Sequence, residues 1–245
     1  MSGDDRHLGR DLRDLLADAF SPRHRKATII LLVSPFLLVT WSCFGSPKYY
    51  AGVVAPWLGA AGDPRPMGAV YTFLSCFLLL GVVPLLIVKF GFRERLADYG
   101  VQLGIRKRTL RTILMLGPAF VLGGYIASLD LTMPQKYPIN PQVGASAGAF
   151  ALHAATYLLY YLGWEFYFRG FMQFGLREAL VDVNTVLVQV LASVLLHIGS
   201  PASEVYGAIF GGILWGMLAF RTRSLLPGLV QHYLLGVSTD WFLSR

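Results

Sequence analysis

Charge is what this chain has least of. Only 14% of its 245 residues are Asp, Glu, Lys or Arg and 55% are hydrophobic, where a soluble domain carries roughly 25% charged residues. That shortage excludes a surface solvated on all sides. Cysteine is scarce too: Cys43 and Cys76 lie in or beside apolar runs, read as packing residues, and say nothing firm about the redox compartment. No Cys/His metal spacing and no H-E-x-x-H element occurs, so nothing in the spacing demands a metal ion. A cleaved leader is not expected either. The first apolar run, Ala27 to Phe44, is longer than the core of a signal peptide and has no A-x-A-like site after it, so it reads as a retained span. Internal repeats and low-complexity segments are absent.

What is present is apolar sequence gathered into runs. About seven helical spans are expected, at 27–44, 67–90, 109–129, 147–176, 184–198, 205–220 and 225–243. The fold class is therefore all-α, a polytopic transmembrane helical bundle. Leu8, Leu12, Leu15, Leu16 and Phe20 recur at helical spacing among Arg and Asp, which predicts an amphipathic helix lying on the inner membrane surface. The chain divides into this cytoplasmic segment (1–26), two N-terminal spans (27–90) and a membrane core (91–245). The net charge of +7 sits between the apolar runs, so it carries topology rather than nucleic-acid binding. Basic residues cluster before the first span and after the second, fourth and sixth. The chain is thus expected to be integral to a cell inner membrane, with the N-terminus on the cytoplasmic side and the C-terminus outside. Pro134, Pro138 and Pro141 make 130–146 an extended outer loop.

Ionisable residues within spans are rare and mark functional sites by default. Here they concentrate in the second half. The fourth span carries His153, Glu165 and Arg169; the fifth ends in His197, followed by Gly199, Pro201 and Glu204; the last carries His232 and Asp240. Glu165 and Arg169 are four apart and share a face with Tyr157 and Tyr161, a polar seam that should face protein or a water-filled cavity rather than lipid. The bland reading is a neutralising pair with Arg169 snorkelling to the headgroups. The sharper one is a convergent site: a carboxylate can act as general base toward water, one histidine can orient that water, and another can stabilise an oxyanion. The same residue types could also hold zinc.

The stretches WEFYFRG, SVLLH and HYLLG, in that order and spacing, resemble the CPBP family of intramembrane endopeptidases, the CAAX-protease and bacteriocin-processing (Abi) family, over roughly residues 90 to 243. The family pattern is Glu-Glu-x-x-x-Arg with Phe-Arg-Gly, then Phe-x-x-x-His, then His with Asn or Asp four residues later. Three positions depart from it. Trp164 stands where the first Glu belongs, Ser193 replaces the Phe, and Gly236 replaces the Asn or Asp, for which Asp240 is the candidate substitute as an oxyanion partner.

The resemblance implies an endopeptidase acting on a protein or peptide in or at the bilayer. Glu165 would be the general base or its support, and Arg169 would fix it. His197 would orient water and His232 would stabilise the oxyanion, with Glu204 and Asp240 as further members. No organic cofactor is implied and no metal is favoured. Two other classes stay open: a degenerate member acting as a membrane scaffold or immunity-type binding protein, and a small transporter using Glu165 and the histidines as a proton relay, against which the lack of an inverted repeat counts.

Overall fold

The structure is a computed structural model describing the backbone of residues 3–245 and the side-chain surroundings from residue 11 onward. Among the described residues it is all helix and turn, without strands. The principal helices are α1 (Gly3–Ala19), α2 (Arg25–Phe44), α3 (Arg65–Phe92), α4 (Arg106–Ser128), α5 (147–174), α6 (Asp182–Leu196), α7 (Ala202–Thr222) and α8 (Leu226–Leu243). By length and composition, α2, α3, α4 and α7 are apolar enough to cross a membrane. α6 is shorter, and α5 and α8 carry the polar residues singled out above. Leu12, Leu15 and Leu16 on α1, and Phe20 just after it, are uncovered; Leu8 lies outside the described side chains.

α5 is the axis of the fold. Ser146 caps its start by accepting from the Ala149 amide at 3.0 Å. Past Glu165 the helix does not end or turn along a surface: it widens to π-helical geometry over Phe166–Phe174, a form often found at functional sites. Residues 166 to 173 are all buried. α5 packs against α3, α6, α7 and α8, and its Trp164, Phe168 and Phe171 join Ile30, Leu80 and Cys76 in one apolar core.

Small residues set the close approaches, as expected where helices meet inside a membrane. A Cβ on Gly163 would lie 2.8 Å from the Cys76 carbonyl and 2.9 Å from the Phe77 Cα, both backbone atoms of α3. Gly163→Ala should therefore lower stability by about 1–3 kcal/mol through overpacking, outweighing the ~1 kcal/mol gained in helix propensity. Gly207→Ala on α7, where a Cβ meets nothing within 4 Å, should keep that gain. Thermal melting of the two purified variants in one detergent should move in opposite directions.

Candidate active site

The centre of the site is Glu165, whose side chain is buried between α5 and α8. Its Oε1 lies 2.8 Å from His232 Nδ1 and 3.2 Å from Arg169 Nη1. Beside the guanidinium the carboxylate is the accepting partner, so Nδ1 of His232 donates. Arg169 does not snorkel: it is 1% exposed and lies over the Trp215 ring, 5.4 Å from its centroid. Trp215 stacks on the His232 ring at 4.2 Å and 26°, and Tyr161 closes on the ring at 4.7 Å and 62°. Trp215 is itself held by its N–H donating to Gln231 Oε1 at 3.2 Å. The second carboxylate oxygen, Oε2, is buried without a hydrogen-bond partner. Gly228 leaves the space beside it, since a Cβ there would come within 2.8 Å of that oxygen.

His197 stands where α6 ends. The chain reverses through Gly199 at φ +93°, in the left-handed region open to glycine, and Pro201 leads into α7. Nδ1 of His197 donates to the Ser193 carbonyl at 2.8 Å, and because a carbonyl can only accept, Nε2 is the lone-pair nitrogen. Nε2 lies 3.8 Å from Glu204 Oε1. Trp164, adjacent in sequence to Glu165, sets its ring edge against His197 at 5.5 Å and 85°. α5 thus links the two histidine neighbourhoods through consecutive residues. Both histidine side chains keep some exposure, 15% for His232 and 14% for His197, where Glu165 has 1%, so the site is open at the imidazoles and closed at the carboxylate.

The remaining candidates have other partners. Glu204 takes Lys136 Nζ at 3.1 Å and the Tyr137 hydroxyl at 2.9 Å, which fastens the 130–146 loop over the break after His197. Ser203 adds a bond to Asp130. Asp240 accepts from His153 Nε2 at 2.8 Å, both side chains fully buried. It does not stand beside His232. Among the described residues no group of three or more His, Cys, Asp and Glu side chains is arranged to hold a metal ion.

Residues 146–237, which carry Glu165, Arg169, His197 and His232, match the family model described as type II CAAX prenyl endopeptidase Rce1-like. Over this segment the chain is similar to the CAAX-protease family. No curated protein and no solved structure matches the chain.

The departures from the CAAX-protease pattern now have physical settings. Trp164, in place of the first Glu, is 2% exposed, stacks on Tyr160 at 5.4 Å, and has no partner for its indole N–H. Gly236, in place of the last Asn or Asp, lies against the Tyr161 hydroxyl: a Cβ there would collide with it. Ser193 contributes its carbonyl to His197. Sequence reasoning did not single out Tyr161, Trp215 or Gly228 as members of the site. Tyr161 was legible only as part of the seam on α5, and the other two act through packing that no motif spacing records.

Proposed function

We propose that the chain is an intramembrane endopeptidase that hydrolyses a peptide bond of a membrane-associated or exported protein with a water activated by glutamate and histidine. The observation that carries this reading is the buried Glu165–His232 bond with Arg169 alongside. A carboxylate that fixes Nδ1–H leaves Nε2 free to take a proton from water, the arrangement that orients the base in hydrolytic triads. In this reading Glu165 is the support, Arg169 neutralises it, and His232 is the base. His197, also with Nε2 as acceptor, orients the same water. Glu204 holds the loop beside His197, and Asp240 acts structurally with His153.

The water gives its proton to His232 and its oxygen attacks the carbonyl carbon. On collapse the C–N bond breaks and the proton passes to the leaving nitrogen. Packing that excludes water from Glu165 strengthens each electrostatic contact. The substrate enters from the bilayer or its surface, and the N-terminus faces the cytoplasm, as the basic loops indicate.

Trp164 supports a second reading, a binding protein that has lost its chemistry, because its indole occupies a motif position otherwise held by a carboxylate. Peptide termini in membranes from cells expressing wild type and Glu165→Gln at matched levels separate the two. A terminus that requires Glu165 supports proteolysis and names the substrate. Identical termini, with both proteins folded, favour the binding protein.

A further inference from the structure

α5 and α8 run antiparallel, and their facing residues form rungs. Glu165 meets His232; one turn along, Tyr161 meets Gly236; beyond that, His153 meets Asp240. The middle rung is the unusual one. Gly236 contributes no side chain, and the Tyr161 phenol ends in the volume one would occupy: a Cβ on Gly236 would come within 2.8 Å of Tyr161 Cζ and collide with the hydroxyl. The same phenol ring closes on His232 at 4.7 Å. Tyr161 is 3% exposed, so its O–H is fixed by packing in a water-poor setting beside the proposed base.

The two histidines define what such a site lacks. With Nδ1 donating to Glu165 and to the Ser193 carbonyl, each neutral imidazole presents an acceptor at Nε2. Acceptors orient and deprotonate water but cannot stabilise a carbonyl oxygen that gains negative charge, which needs a hydrogen-bond donor. The Trp215 N–H is engaged by Gln231. Among the rings on either face of His232, the remaining donor is the Tyr161 hydroxyl.

We propose that Tyr161 is a catalytic residue of this site, donating its O–H to the carbonyl oxygen of the scissile bond as that oxygen becomes an oxyanion. This rests on the hydrolytic reading above. As water oxygen bonds to the carbonyl carbon and its proton goes to His232 Nε2, the C=O π pair moves onto the oxygen. Tyr161 keeps its proton and shares it with that oxygen. Collapse restores the C=O bond, breaks C–N, and returns the proton from His232 to the nitrogen.

The test follows the rate at which the Glu165-dependent terminus forms, in membranes and on a synthetic peptide spanning that cleavage site. Wild type, Tyr161→Phe, Tyr161→Ala and Tyr161→Ala/Gly236→Asn are compared at matched folded protein. Tyr161→Phe, which keeps the ring and its packing, should lower kcat about 10²-fold, the scale of losing one oxyanion donor, with KM and melting temperature unchanged. An asparagine placed in the vacated volume should raise the rate of Tyr161→Ala at least about tenfold. Wild-type kcat in Tyr161→Phe, or a change confined to KM, overturns the assignment while leaving the protease reading standing. If wild type forms no Glu165-dependent terminus, the protease reading fails and this inference fails with it.

Discussion

Glu165→Gln should cut the rate of product formation by about 10³–10⁴-fold, the scale seen when the carboxylate that orients a catalytic histidine becomes an amide. The glutamine is isosteric and can still touch His232 Nδ1, but it can do so through its NH₂ group as readily as its carbonyl. The imidazole then loses the fixed tautomer that leaves Nε2 free for water. The change also removes the only carboxylate within ion-pair distance of Arg169 among the described residues, so some stability is lost with it. Activity must therefore be compared per folded molecule, by size-exclusion profile and melting curve alongside product formation.

The second large effect concerns Arg169. Arg169→Met should destabilise the protein by about 3–5 kcal/mol, because breaking a buried ion pair strands the other charge. Glu165→Gln/Arg169→Met, which removes both charges and roughly conserves volume, should return to within about 1 kcal/mol of wild type. It should nevertheless remain without cleavage. Melting curves of the two single variants and the double variant decide this. Recovery of stability without recovery of activity separates the structural role of the pair from its chemical one. A double variant no more stable than the singles would mean that the surrounding packing, with Arg169 set over Trp215, depends on the guanidinium itself.

Much of this arrangement is legible in the sequence because it follows from helical spacing. The runs of apolar residues locate the principal helices to within a few residues, and the four-residue step from Glu165 to Arg169 makes their meeting a local matter. The seam Tyr157, Tyr161, Glu165 and Arg169 is buried in protein, as its polarity requires.

What spacing could not supply is rotation and partnership between helices. Asp240, eight residues after His232, is displaced from it by about 80° around an ideal helix, enough to face His153 instead. Glu204 follows His197 closely in sequence, yet its carboxylate is also claimed by Lys136 and Tyr137 from a distant loop. Gly236 reads as a loss when the motif is viewed along one helix. Only the packing of α5 against α8 reveals the tyrosine hydroxyl beside it. The Trp164 contact with His197 likewise depends on how α5 and α6 cross. It brings together the neighbourhoods of His197 and Glu165, which lie on different helices.

The most direct test of the central claim, that Glu165 and His232 work as one unit, is a double-mutant cycle on the rate of terminus formation. Wild type, Glu165→Gln, His232→Gln and the double variant are compared per folded molecule. Residues that act together are strongly non-additive, so the double variant should be no slower than the slower single variant. Multiplying losses, or wild-type cleavage by either single variant, would contradict the account.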